Sequence, residues 1–471
     1  MKRIIKGGRV VSSHGVRMAD IRIEDGIIKE VGEISQQFFT EDCQVTDASG
    51  MLIFPGFIDV HTHFDLHVAG TVTADDFYTG TKAAILGGTT TIVDFATQYP
   101  GETLMEGLSN WHKKADGKCS CDYGFHMSIT DWNPETSREI ETMMEEGVST
   151  FKLYMTYDTQ VDDKTIYQIL KRLDEEGGMA GVHCENSGLI EALQEEAVSQ
   201  GRMGVASHPA TRPAGAEAEA ISRLLRLAEA ADAPVMVVHL TCEEGLKEIR
   251  RARKRGQVVY AETCPQYLLM DDSLYELPGF EGARYVIAPP LRKVRDQEVL
   301  WEALASGEIQ TVSTDHCSFT LEQKRLGERD FRKIPGGMPG VETRGGLMYS
   351  EGVAAGRIRP EDMCRLLSEN PARLYGMYPE KGVIRPGSQA DLVILDPEAE
   401  TVIREADQIQ NVDYAPFEGR KVKGVIRQVY LRGELAAENS RVVKELAGKY
   451  VHRKVPSVPV PVPAGDMQEK Q

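Results

Sequence analysis

Two histidines separated by one residue, His61 and His63, close the apolar run Phe57-Ile58-Asp59-Val60. Side chains two apart on a strand point to the same side, so both imidazoles project together from its carboxyl end. Alone, such a pair reads as readily as two polar histidines near a strand end as it does as a metal site. Other apolar runs end in the same way: His183 follows Met179-Ala180-Gly181-Val182, His239 follows Val235-Met236-Val237-Val238, and Asp315 follows Thr311-Val312-Ser313-Thr314. In a barrel of parallel strands those ends converge on one point, and coincidence becomes the weaker account. A set of nitrogen and oxygen donors suits Zn²⁺ ahead of Mn²⁺, Co²⁺ or Fe²⁺. Lys152 lies inside a further apolar run, Phe151-Lys152-Leu153-Tyr154. An ammonium there must snorkel, pair with an acid or lose its charge.

These residues need a frame that brings strand ends together. Eight short β-type runs, at 56–62, 89–95, 122–130, 149–155, 178–184, 233–240, 257–263 and 309–314, alternate with helical stretches. Ile166, Ile169, Leu170 and Leu173 fall at i, i+3, i+4 and i+7, and Ile221, Leu224, Leu225 and Ala228 repeat the pattern. Asn133-Pro134 opens a helix that Gly147 closes. The order predicts an α/β fold, a (β/α)8 TIM-like barrel with inserted loops or, on periodicity alone, a doubly wound open sheet. Residues 1–52 read as a β module with a hairpin turning at Asp25-Gly26. Strand texture returns at 390–395 and 424–431. The expected layout is a small β-sandwich built from both chain ends, 1–52 and 377–440, around a barrel at 53–376. Residues 441–471 are expected to be an extension, its Pro-rich run at 455–463 either solvated or docked as an arm on a neighbouring subunit.

Composition narrows the function. Against 72 acidic residues the 471-residue chain carries 54 Lys and Arg, a formal net charge of −18, which disfavours nucleic acid and anionic membrane as partners. Its eight cysteines lack a C-x-x-C pair and are expected to be reduced, mostly buried thiols. The basic N-terminus breaks its apolar runs after two residues, and no run approaches the roughly 18 residues of a membrane span. A cytoplasmic protein is the expectation.

Over residues 2 to about 440 the chain resembles the cyclic amidohydrolases of the amidohydrolase superfamily, the D-hydantoinases and dihydropyrimidinases. The resemblance rests on Phe54-Pro55-Gly56-Phe57-Ile58-Asp59-Val60-His61-Thr62-His63, Gly88-Thr89-Thr90-Thr91-Ile92-Val93-Asp94, Phe151-Lys152-Leu153-Tyr154, Glu262-Thr263-Cys264-Pro265-Gln266-Tyr267-Leu268, Pro289-Pro290-Leu291-Arg292 and Thr314-Asp315-His316-Cys317. It implies the closed barrel rather than the open sheet, and hydrolysis of 5-substituted hydantoins or dihydropyrimidines to N-carbamoyl amino acids. It also implies two divalent metals per subunit: His61, His63 and Asp315 on one, His183 and His239 on the second, with a hydroxide and Lys152 carboxylated by CO2 bridging them. Asp315 would be the general acid and base, and Tyr157 would donate its phenol to the developing oxyanion. Ala288 and Gly336 stand where the family commonly has Ser and Asn. They would grip the ring through backbone groups, which Ala and Gly still possess. Leu66 and Tyr154 are expected in the pocket wall, and the family suggests a homotetramer. An allantoinase is the nearest alternative. A non-catalytic dihydropyrimidinase-like scaffold is the alternative from another class, disfavoured because all six ligand positions are filled.

Overall fold

A computed structural model describes residues 1–456 and residue 460. The chain opens with β1 (Lys2–Ser12), β2 (Gly15–Glu24) and β3 (Ile27–Gly32), then β4 (Cys43–Asp47) and β5 (Leu52–Pro55). β2 and β3 form the hairpin expected at Asp25-Gly26, and both turn residues take positive φ, 50° and 79°, as the tight turn requires. β6 (Phe57–Thr62) starts the barrel, and the two-residue strands β7 (His67–Val68) and β8 (Thr71–Val72) make a small hairpin above it. The other barrel strands are β9 (Thr89–Thr97), β10 (Asp122–Ser128), β11 (Thr150–Tyr154), β12 (Met179–His183), β13 (Val235–Val237), β14 (Val259–Thr263) and β15 (Thr311–Val312). All eight fall within or overlap the runs read from sequence.

The barrel strands pair in parallel in the order β15-β14-β13-β12-β11-β10-β9-β6. Closure comes just past β15, where Thr62 bridges His316 in parallel and the His63 amide donates to His316 O at 2.8 Å. Asp59 adds a side-chain clasp, taking the Thr314 hydroxyl at 2.7 Å. The open-sheet alternative is thereby excluded. Strand is followed by helix throughout, and local chemistry sets the ends. Asp76 and Thr79 form a capping box at the start of the helix Phe77–Leu86, Asn133 caps Pro134–Glu145, and Gly177 ends Asp163–Glu176 in the left-handed conformation. The helix stripe Ile166, Ile169, Leu170, Leu173 is fully buried, as its spacing demands.

β16 (Leu392–Val402), β17 (Lys421–Leu431), β18 (Glu434–Glu438) and β19 (Arg441–Val442) return to the first strands. They form one nine-stranded mixed sheet with β1–β5, joined where β16 runs antiparallel to β5. Ile5, Ile21, Ile53, Leu392, Ile394 and Tyr430, from both chain ends, share its separate core. The described part of the extension packs on the chain's own barrel: Tyr123 N donates to Lys449 O at 3.0 Å and Val451 N to Tyr123 O at 2.7 Å. Residues 457–459 and 461–471 lie outside the described residues, so much of the Pro-rich run does too. No helix among the described residues is long and apolar enough to cross a membrane. All eight cysteines are free and seven are buried.

Candidate metal centre

His61 and His63 stand at the carboxyl end of β6, both buried. His61 Nε2 lies 3.1 Å, and His63 Nε2 3.2 Å, from Asp315 Oδ1. One donor atom from each of the three falls within 4.8 Å of the others. His61 Nδ1 faces Glu262 Oε1 at 2.7 Å, which fixes the ring with its other nitrogen turned inward. Glu262, from β14, also accepts from the Ser313 hydroxyl at 2.8 Å and so is held on both oxygens. Burial opposes ionisation of Asp315, but the His61 and His63 rings outweigh it and hold the carboxyl well below the usual range. Burial pulls His63 down to about 4, so that ring is neutral.

A second pair sits beside the first. His183 Nδ1 and His239 Nε2 approach to 2.9 Å, and the His61 and His239 rings are 5.4 Å apart. Burial, aided by Lys152 beside His183 and by His183 beside His239, holds both well below the normal histidine range. His183 Nε2 is engaged by Glu185 Oε2 at 2.8 Å, which places that ring's proton on Nε2 and leaves the Nδ1 lone pair facing His239. Three buried ring nitrogens, His61 Nε2, His63 Nδ1 and His239 Nδ1, have no hydrogen-bond partner among the described residues, and of these His61 Nε2 is the one that faces Asp315. Uncompensated polar atoms of this kind are costly in a dry interior. Burial holds His63, His183 and His239 below the normal range, while at His61 it is outweighed by Asp315, which raises that ring. Clustered imidazoles of this kind, with an ionised carboxylate between them and carboxylates behind the His61 and His183 rings, fit divalent cations.

Lys152, on β11, is 1% exposed. Its Nζ lies 4.9 Å from the Phe95 ring centroid and 5.3 Å from that of Tyr154, with no carboxylate of the described residues paired to it. Burial pulls its pKa down to about 8, which favours the neutral, nucleophilic amine. Tyr157 stands at φ 73°, its ring 5.0 Å from His183 and 6.2 Å from Tyr154. The residue is 39% exposed, and desolvation of its ring against its neighbours raises the phenol above the ordinary range, so it remains a proton donor. Arg212 lies over that ring at 5.4 Å and pairs with Glu185.

Of the expected ring-gripping residues, Ala288 and Gly336 come together: a Cβ built on Gly336 would lie 3.9 Å from Ala288 N and meet nothing nearer. Leu66 sits at the stem of the β7–β8 hairpin, its carbonyl taking Thr73 N at 3.0 Å, and packs on the hydrophobic core. The sequence reading assigned no role to Glu185, Arg212 or Glu262. The only signals were Glu185 two residues after His183 and Glu262 at the end of an apolar strand.

Residues 52–436 match the profile of the amidohydrolase family. A D-hydantoinase from Streptomyces coelicolor is 43% identical over 459 residues, covering 96% of this chain and 98% of that protein. A D-phenylhydantoinase from Escherichia coli is 42% identical over 464 residues, 98% of this chain and 99% of that one. The crystal structure of a dihydropyrimidinase from Brevibacillus agri superposes with a TM-score of 0.95 at 42% identity, covering 98% of this chain and all of that chain.

Proposed function

The chain belongs to the amidohydrolase family, and from that premise we propose that it is a metal-dependent cyclic amidohydrolase opening 5-substituted hydantoins or dihydropyrimidines to N-carbamoyl amino acids. The observation that carries this reading is the buried convergence of His61, His63 and Asp315 beside His183, His239 and a partnerless Lys152. Two divalent cations, Zn²⁺ by donor type, would be held by His61, His63 and Asp315 and by His183 and His239, with Lys152 carboxylated by CO2 as the shared ligand. When bound they supply Lewis acidity toward the amide carbonyl and a strong oxygen nucleophile at neutral pH.

The chain's own residues do the rest. Asp315, whose Oδ1 lies against both histidines, takes a proton from the attacking water and passes it to the leaving ring nitrogen. The ring C–N bond breaks, the carbonyl carbon gains the water oxygen and becomes a carboxylate, and the nitrogen leaves protonated within the carbamoyl group. Tyr157, its phenol raised above its ordinary value and so protonated at neutral pH, donates to the oxyanion that forms on the carbonyl. Ala288 and Gly336 offer backbone groups to the ring, and Tyr154 and Leu66 line the side that receives the 5-substituent. Free thiols throughout agree with a cytoplasmic setting, and the reading includes a homotetramer, which sedimentation checks.

A hydrolysis panel of dihydrouracil, hydantoin, D- and L-phenylhydantoin and allantoin tests the reading together with metal analysis of protein grown with zinc. Turnover of hydantoins or dihydrouracil at about two metals per subunit is expected. Less than one metal per subunit defeats the dinuclear centre, and turnover of allantoin alone moves the chain to that substrate.

A further inference from the structure

Lys324 ends the one-turn helix Leu321–Lys324 and is completely buried. Its ammonium donates to three backbone carbonyls, Val286 O at 2.9 Å, Pro335 O at 2.7 Å and Gly337 O at 2.8 Å. Burial pulls its pKa down to about 7; against that, the three acceptors favour the charged form, since a neutral amine has only two N–H groups. No carboxylate of the described residues pairs with it; the charge is held by peptide dipoles alone. The two loops it ties are those carrying Ala288 and Gly336, which also bond directly through Gly337 N to Val286 O at 2.9 Å. Past Gly336 the second loop runs beside Asp315, since Cys317 N donates to Met338 O at 3.1 Å.

In a trans peptide unit the C=O and N–H point in opposite directions. Pro335 O faces inward to Lys324, so the N–H of the same unit, that of Gly336, faces outward, where Gly336 is exposed. It has no partner among the described residues. The unit joining Ile287 to Ala288 repeats the device. Ile287 O takes a hydrogen bond from His208 Nε2 at 2.7 Å, and the Ala288 N–H is left without a partner. His208 is buried and neutral, its pKa pulled down to about 3 by burial, and with Nε2 bonded to a carbonyl it must carry its proton there. Each free N–H therefore belongs to a peptide whose carbonyl is gripped and polarised from behind, which strengthens the N–H as a donor.

We propose that Lys324 and His208 are positioning residues for the ring-opening reaction: gripping two loop carbonyls from behind, they aim and polarise the Gly336 and Ala288 N–H groups as a donor pair for an oxygen of the bound cyclic ureide. The proposal rests on the reading of the site as a cyclic amidohydrolase. Steady-state kinetics of the metal-replete enzyme on the panel ring it turns over fastest tests it, with metal content and thermal midpoint measured for each variant. Lys324→Met and His208→Phe are expected to raise KM about tenfold or more while kcat stays within about threefold and metal content stays at the wild-type level. His208→Gln, which can still donate to Ile287 O, is expected to keep KM within about threefold of wild type. Unchanged KM in a folded Lys324→Met or His208→Phe protein overturns the proposal, as does a fall in kcat with KM unmoved. A KM in His208→Gln as high as in His208→Phe removes the hydrogen-bond basis. If Lys324→Met does not fold, the His208 pair decides alone; if neither large change folds, both residues are folding determinants and the proposal is wrong. A wild type inactive on every ring is a different failure, of the underlying reading, and takes this inference with it.

Discussion

Two lysines are buried at opposite ends of the barrel, and their surroundings differ in kind. Lys381, where the lower end meets the terminal sheet, donates to Asp122 Oδ2 at 2.7 Å and Asp391 Oδ2 at 2.6 Å. The same aspartates take Lys449 N at 2.9 Å and Arg432 N at 2.7 Å, so the network is filled. Burial works against its charge, yet the two carboxylates outweigh it and its pKa is raised. Lys152, toward the upper end, has aromatic rings against its ammonium and no acid of the described residues within ion-pair distance. Burial pulls it down to about 8, outweighing Asp315 and Glu262, which favour its charge from farther off. A buried charge with every partner in place holds a structure together; one left without partners is a reactive group waiting for chemistry. Backbone strain does not follow the same division, since Arg432 of the lower network also has positive φ, 47°. His239, Asp315 and Tyr157 all carry positive φ, 39°, 52° and 73°, a cost of about 1–3 kcal/mol each that persists only where the surrounding structure enforces it.

The largest effect separating the two ends is expected from Lys152→Ala. Turnover should fall by about a thousandfold or more and bound metal should be lost with it, since the shared ligand is removed. An active, metal-replete mutant would contradict the carbamate role. Metal-free protein gives the complementary measurement: there Lys152→Met should not lower stability to urea, because an unpaired buried amine contributes little to the fold.

Lys381→Met should do the reverse. Removing one partner from a buried charge network leaves Asp122 and Asp391 uncompensated and costs about 3–5 kcal/mol, read as a lower urea midpoint. kcat and KM at 25 °C should stay close to wild type wherever the protein is folded. A Lys381 variant that loses turnover while fully folded and metal-replete would erase the distinction between the two ends.

How far the sequence reveals each end is also unequal. The convergence of His61, His63, His183, His239 and Asp315 was legible because each follows an apolar run, and strand ends in a barrel meet by construction. Their supports were not. His61 and Glu262 are 201 positions apart, and no periodicity in either segment refers to the other. The tripod on Lys324 is invisible for a related reason, since carbonyl acceptors belong to the backbone and leave no mark in residue type. The extension reads as a detached segment because its texture is polar and then Pro-rich. Arg453 nonetheless is 1% exposed and donates to the Thr150 hydroxyl at 2.9 Å, a long-range bond that local pattern cannot encode. Short strands were legible, but their bounds were not: His239 lies two residues beyond the end of β13, where its positive φ turns the side chain toward His183.

Tyr157→Phe probes the upper end more gently. Losing one donor to the oxyanion should lower kcat about a hundredfold, and metal content should remain that of wild type, because Phe keeps the ring that packs on His183 and removes only the hydroxyl. Loss of metal would count against the assignment and make the tyrosine a support for His183, whose ring lies 5.0 Å away.

The smallest expected effect is a difference in pH dependence at the lower end. Burial opposes ionisation of Asp122, but Lys381 and Arg432 outweigh it and depress its pKa below the ordinary 3.8. A depressed carboxyl contributes stability that is fully present above its unfolded value and is lost as pH falls through the folded one. Lys381 is raised above the ordinary 10.5, so its contribution is present below that value and lost as pH rises through the folded one. The wild-type network should therefore be at full strength from about pH 5 to about pH 9.5 and weaken outside that window on both sides. In Lys381→Met the alkaline limb of this network disappears. Its acid limb shrinks or inverts, because burial without the ammonium favours the protonated carboxyl and the variant gains on wild type as pH falls. Urea midpoints of the two proteins across pH 3–10 measure the difference. Parallel curves over that whole range would mean that Lys381 is no better paired than Lys152, and the contrast between the two ends would fail.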